Sequence, residues 1–244
     1  MTWIKICGTT NVEDALAAAE AGADALGFVF APSPRRISPR DAARIITALP
    51  VSVEKIGVFV NQSLELVLDT VHKAGLTGVQ LHGEEDGRFA RRLQEEHGSG
   101  QLRVIKVVAM GEVGQGKGKG LAIAAQEDAA KMFSALLLDS GGSGKRGGSG
   151  ALFDWQEAAP LARLLAKRVA LIIAGGLNPD NVAKALRTFH PWGVDVVSGV
   201  EQAPGKKDIE KVRTFVAAVR QFEAGPAQRA TGKSCNPRVS SGSE

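Results

Sequence analysis

A single (β/α)8 barrel, an α/β fold in which eight parallel strands close on themselves, is predicted by three features of the sequence: its length, its composition and one repeating pattern. The 244 residues are 44% apolar and 23% charged, which supplies a sizeable core and lies far from the composition of a disordered chain. Aromatic residues make up only 5%, with no Tyr, and this argues against a β-sandwich or a stacking platform for nucleic acid. The pattern is an alternation of short β-rich apolar runs with amphipathic stretches, continued from one end of the chain to the other.

Taken in order, a strand is predicted over Trp3 to Cys7, followed by a helical pattern over Val12 to Ala21. The next predicted pairs are Ala25 to Phe30 with Pro39 to Leu49, Lys55 to Val60 with Leu64 to Ala74, and Gly78 to His82 with Asp86 to His97. The second half repeats the theme with Arg103 to Met110 and Leu121 to Phe133, then Ala135 to Asp139 and Trp155 to Ala166. Val169 to Ala174 with Pro179 to Leu186, and Val194 to Ser198 with Asp208 to Phe222, complete the series. Eight such units average ~28 residues, close to the ~30 that a strand, a crossover helix and two short turns require. A doubly wound open sheet is the alternative, but the even repeat without a composition break favours closure, which also removes both sheet edges. Residues 1–222 are therefore expected to form one barrel domain. Residues 223–244, with Gly225, Pro226, Gly232, Pro237 and a Ser-rich end, carry no period and are expected to be a disordered tail.

Thirty basic against 26 acidic residues give a net charge of +4, enough for attraction of a phosphorylated small molecule without a basic stripe for nucleic acid. The start of the chain lacks a basic region followed by a long apolar one, and the longest apolar run, Val169 to Gly176, is far short of the ~20 residues that cross a bilayer. No membrane partner is predicted, and with only Cys7 and Cys235 a reducing cytoplasm is the expected location. Four scattered histidines and no Cys-x-x-Cys or His-x-x-x-His spacing leave a metal site without support. Nothing in the sequence chooses between a monomer and a homodimer.

Barrels gather their chemistry at the carboxyl ends of the strands. Alternation along the first strand puts Ile4 and Ile6 toward the helices and Lys5 and Cys7 into the barrel, with Cys7 at the mouth. A nearby Lys5 is expected to lower the thiol pKa and make Cys7 a base or nucleophile; the alternative is a small buried hydrophobe. The same parity groups Ala135, Leu137 and Asp139, with Asp139 either meeting a ligand or forming the following turn. Asp195, on the strand that neighbours the first in a closed barrel, is expected to pair with Lys5, because either charge alone inside would be costly. His82 ends the fourth strand, and Arg35 and Arg36 lie in the loop after the second.

Two stretches suit a phosphate: Gly175-Gly176-Leu177-Asn178-Pro179 after the seventh strand, and Ser198-Gly199 after the eighth. The alternative, that these glycines only turn the chain, holds for either loop alone but is weaker for the two together. Other glycine motifs fail on context. Gly111-x4-Gly116-Lys117 continues into Gly118, which has no hydroxyl for magnesium, and a looser copy ending in Gly232-Lys233-Ser234 lies in the tail.

Taken together, Lys5-Ile6-Cys7-Gly8, Ala23 to Phe30, Ser33-Pro34-Arg35, Gly57 to Asn61, Val79 to Gly83, Leu137 to Asp139, Gly147 to Gly150 with Phe153-Asp154-Trp155, Gly175 to Pro179 and Val194 to Glu201 resemble phosphoribosylanthranilate isomerases of tryptophan biosynthesis. The resemblance spans residue 3 to about residue 222. It implies a TIM barrel that carries out an Amadori rearrangement, converting N-(5-phosphoribosyl)anthranilate to 1-(2-carboxyphenylamino)-1-deoxyribulose 5-phosphate without metal or organic cofactor. By the same resemblance, Asp139 would be the general acid on the furanose oxygen and Cys7 the general base at C2. Arg35, or Arg36 if the loop shifts by one, would face the anthranilate carboxylate. His82, Gly175, Gly176, Asn178, Ser198 and Gly199 would contribute to substrate binding. A second Gly-Gly-Ser-Gly at residues 141–144 departs from the family spacing, and the loop that carries both copies is expected to be mobile until substrate binds. A histidine-pathway isomerase barrel is the nearest alternative enzyme, but it needs two strand-end carboxylates where this chain has Cys7. A non-catalytic phosphoanion-binding barrel is the alternative outside enzymes.

Overall fold

In a computed structural model of the chain, the described residues are 1–98, 102–110, 132–140 and 155–225. Eight strands form the expected closed, parallel barrel in sequence order: β1 (Trp3–Cys7), β2 (Ala25–Val29), β3 (Glu54–Phe59), β4 (Gly78–Leu81), β5 (Arg103–Ala109), β6 (Ala135–Asp139), β7 (Ala170–Ile173) and β8 (Gly193–Val196). Closure is made by β1 against β8, with Lys5 in register with Asp195.

Helices α1 (Val12–Glu20), α2 (Pro39–Thr47), α3 (Leu64–Ala74), α4 (Gly87–His97), α5 (Trp155–Ala166), α6 (Val182–Phe189) and α7 (Ile209–Ala224) accompany the strands. Asn11, Ser38, Ser63, Asp86 and Asp208 begin five of them, each side chain accepting a backbone N–H of the first turn. The alternation along each strand sorts the core into two layers. Ile4, Ile6, Leu26, Phe28, Leu136 and Leu138 meet the helices, while Ala25, Ile56, Ile105, Val107, Leu137 and Ile172 fill the barrel.

Many element ends shift by one or two residues from expectation, and three of the differences have a local cause or consequence. The eighth strand stops at Val196 rather than Ser198, and the chain turns through a 3₁₀ segment, Ser198–Val200, into a hairpin of β9 (Glu201–Ala203) and β10 (Lys206–Lys207) that periodicity did not reveal. A two-residue strand is too short to show alternation, and Gly205, at φ +81°, makes the tight turn. Helix α6 starts at Val182 instead of Pro179, because the Asn178 side chain captures the N–H groups of Asp180 and Asn181 in a turn ahead of it. Helix α7 continues past residue 222 to Ala224 and ends at Gly225. Most of the expected 121–133 helix, the loop with the repeated Gly-Gly-Ser-Gly, and the tail from residue 226 lie outside the described residues, as does Cys235.

Candidate active site

Cys7 is the last residue of β1 and points into the mouth of the barrel. Its partner across the ladder is Gly27, where a Cβ would stand 2.5 Å from the Cys7 Sγ, so the absence of a side chain there makes room for the thiol. Beneath it, Lys5 is fully buried, and its Nζ donates to Asp195 Oδ1 at 2.8 Å, the pairing expected from closure. Burial alone would depress the Lys5 ammonium, but Asp195 and then Cys7 outweigh it and hold its pKa above the ordinary value.

The thiol corrects a sequence expectation. Lys5 does favour the thiolate, but burial is the larger influence and Asp195 adds to it, so the Cys7 pKa is raised rather than lowered. Lys5 is already neutralised by its own carboxylate partner, which leaves desolvation to decide.

Asp139 closes β6, and with Cys7, Arg35, His82 and Gln80 it lines one cavity of about 580 Å3 that is open to solvent. The two residues expected to exchange protons with a sugar ring therefore face the same space, although 132 positions separate them in the chain. His82 follows β4, where its N–H still bonds to the Phe59 carbonyl at 2.9 Å. Burial lowers the His82 pKa, with Asp139 opposing, which favours a neutral imidazole. Gln80, two residues earlier on the same face, keeps a buried Oε1 without a hydrogen-bond partner among the described residues. The turn that carries His82 is braced from beneath. Lys106 Nζ donates to the Gly83 carbonyl at 2.6 Å, and Glu85 accepts the N–H groups of Gly83 and Asn61 at 2.8 and 2.6 Å.

Arg35, not Arg36, enters this cavity. The Arg35 side chain is 10% exposed and lines the cavity, whereas Arg36 is exposed and does not. Its guanidinium is held by Glu201, a contact that sequence reasoning missed because a loop residue and the start of a three-residue strand 166 positions away share no period. Lys207, also missed, donates from Nζ to Glu201 Oε1 at 3.0 Å and to the Cys7 carbonyl at 2.5 Å.

A second depression of about 270 Å3 shares Asp139, Asp195 and Val197 with the first and extends it to Gly175, Gly176 and Ser198. Among the described residues, no hydrogen bond engages the backbone N–H of Gly175 or Gly176. Gly175 has φ +80°, and a Cβ there would lie 2.5 Å from the Ser140 backbone nitrogen, so only glycine fits. Two of the expected binding residues lie apart from this space. The Asn178 Oδ1 is occupied in the turn before α6, and Gly199 packs against the Leu177 carbonyl. Neither lines the depression. Among the described residues, no three His, Cys, Asp or Glu side chains are grouped to hold a metal ion, and no helix is long and apolar enough to cross a membrane.

Comparison with known proteins agrees with this geometry. The family profile of N-(5'phosphoribosyl)anthranilate (PRA) isomerase matches residues 4–218. An N-(5'-phosphoribosyl)anthranilate isomerase of Pelobacter propionicus is 43% identical over 91% of this chain and 97% of its own length. One from Geobacter sp. strain M21 is 46% identical, over 91% of this chain and all of its own. The crystal structure of phosphoribosyl anthranilate isomerase from Thermotoga maritima aligns with a TM-score of 0.77 at 41% identity, covering 91% of this chain and 100% of that one. A phosphoribosyl anthranilate isomerase in complex with reduced 1-(o-carboxyphenylamino)-1-deoxyribulose 5-phosphate aligns over the same shares with a TM-score of 0.72 at 38% identity.

Proposed function

This chain belongs to the N-(5'-phosphoribosyl)anthranilate isomerase family, and we propose that the mouth of its barrel performs the isomerisation with Cys7 as base and Asp139 as acid. The reaction is the Amadori rearrangement of the aminoaldose N-(5-phosphoribosyl)anthranilate to the aminoketose 1-(2-carboxyphenylamino)-1-deoxyribulose 5-phosphate in tryptophan biosynthesis. It moves hydrogen within one molecule and has no net redox change.

In this reading the Asp139 carboxyl delivers a proton to the furanose oxygen while the anilinic nitrogen pushes its lone pair into C1, and the ring opens to a protonated imine. That cation acidifies the hydrogen on C2. The Cys7 thiolate takes it, leaving an enamine whose C2 carries a hydroxyl. Return of a proton to C1 and loss of the hydroxyl proton yield the ketone. A thiol raised by burial is a stronger base once ionised, and Lys5, although paired with Asp195, offsets part of the cost of ionising it. Arg35 offers the planar donor set that suits the anthranilate carboxylate. The N–H groups at Gly175 and Gly176, with Ser198, supply the donors for the phosphate, in the part of the depression that extends beyond Asp139 and Asp195. His82, neutral in the cavity wall, contacts the substrate without taking its proton. A base that must stay a free thiol suits a reducing cytoplasm.

The observation that carries this reading is that Cys7 and Asp139 line one cavity. The test is a fluorescence assay of phosphoribosylanthranilate consumption by the purified protein. Cys7→Ala and Asp139→Asn should each reduce kcat by about 10²-fold or more, the scale of a lost acid or base, with an unchanged circular dichroism spectrum. Full turnover by folded Cys7→Ala would remove the thiol from the mechanism.

A further inference from the structure

The Arg35 guanidinium has two edges that can each grip a carboxylate, one formed by Nε and Nη2 and the other by Nη1 and Nη2. Glu201 occupies the first. Nε lies 2.9 and 3.1 Å from its two oxygens, and Nη2 lies 2.7 Å from Oε2. Nη1 makes no hydrogen bond among the described residues, while the side chain lines the cavity that holds Cys7 and Asp139. Glu201 is itself fixed. Its carboxylate is 4% exposed, accepts Lys207 Nζ at 3.0 Å and receives the N–H of Gly205 at 3.2 Å. The stem of Arg35 crosses the backbone next to Cys7, where a Cβ on Gly8 would stand 2.7 Å from its Cδ. The arginine is thus held at both ends before any ligand arrives.

We propose that Glu201 is a positioning residue for the isomerisation: by clamping one edge of the Arg35 guanidinium, it aims the other edge into the cavity, toward the carboxylate of the substrate. The inference rests on the reading of Arg35 given above. A free arginine loses much rotamer freedom when it grips a ligand, whereas an arginine clamped during folding has lost it already. Glu201 also separates two buried cations, since Arg35 and Lys207 otherwise face each other without a counterion. Lys207 extends the clamp to the carbonyl of Cys7, so the carboxylate subsite and the end of β1 are parts of one ion-paired unit.

The test compares two substrates, phosphoribosylanthranilate and its analogue phosphoribosylaniline, which lacks the carboxylate. Glu201→Gln should raise KM for the first about tenfold with kcat within about threefold, and change kcat/KM for the second by less than about twofold. Arg35→Ala should show the same substrate dependence, and adding Glu201→Gln to it should cost nothing more. If Glu201→Gln fails to fold because two cations face each other, Glu201→Gln/Lys207→Met removes one charge of each sign and, measured against Lys207→Met so that the lost hold on the Cys7 carbonyl cancels, should give the same pattern. Equal losses for both substrates, or additive losses in the Arg35→Ala background, would make Glu201 merely structural and overturn the proposal. If Arg35→Ala itself spares phosphoribosylanthranilate, the carboxylate reading of Arg35 falls first and the proposal falls with it.

Discussion

The rim of the barrel above β1 and the rim after β7 are built from different materials. Above β1, Arg35, Glu201 and Lys207 are buried side chains locked in ion pairs, and the Lys5–Asp195 pair supports that rim from inside the barrel. After β7, Gly175 and Gly176 present backbone, and no charged side chain from β7 or its turn lines the depression. A charged rim recognises an anion with strength and direction, but every charge in it must keep a partner, because an unpaired charge in the interior is expensive. A backbone rim needs no partner but tolerates no side chain, because its shape is its function. The first should therefore fail when a charge is deleted, and the second when an atom is added.

The sharpest way to break this comparison is Lys5→Met. It strands Asp195 inside the barrel and should cost about 3–5 kcal/mol of stability by urea denaturation, with most of it recovered in Lys5→Met/Asp195→Leu. A loss well under 1 kcal/mol would mean that Asp195 finds water or a proton and that pairing on this rim matters little. On the other rim, Gly175→Ala adds a single methyl group at φ +80° against Ser140. It should cost about 1–3 kcal/mol, and inhibition by inorganic phosphate should weaken about tenfold. Unchanged phosphate inhibition would take the phosphate away from this turn.

A smaller effect tests the balance of burial and charge at Cys7. In a Cys235→Ser background, the rate of iodoacetamide alkylation should rise with pH through a midpoint above the ordinary thiol value, because burial outweighs Lys5 and the reactive species is the thiolate. A midpoint below the ordinary value would show that Lys5 dominates after all. The smallest effect is expected outside the cavity. Arg36→Ala removes an exposed charge and should leave kcat/KM within about twofold. A larger fall would show that the loop after β2 shifts by one residue on binding.

Much of the mouth was legible because strands have a period of two. Once Ile4 and Ile6 face the helices, Lys5 and Cys7 must face inward, and closure then sets β8 beside β1 and Asp195 beside Lys5. Asp139 followed from the same parity in β6. The Arg35–Glu201–Lys207 unit was not legible, since it joins one loop to strands of three and two residues, none with a repeat to read. Asn178 was ambiguous for a related reason. An Asn beside glycines suits a ligand and a turn equally well, and only the N–H groups of Asp180 and Asn181 show which role its side chain fills.

Sequence alone determined the barrel, the inward faces of its strands and the pair of residues at its mouth, because periodicity and apolar content are local properties that closure converts into positions. Tertiary structure decided which arginine enters the cavity, what holds it there and in which direction the Cys7 thiol is shifted. Those outcomes depend on burial and on charges brought together from distant loops, and neither burial nor proximity has a local signature in the chain.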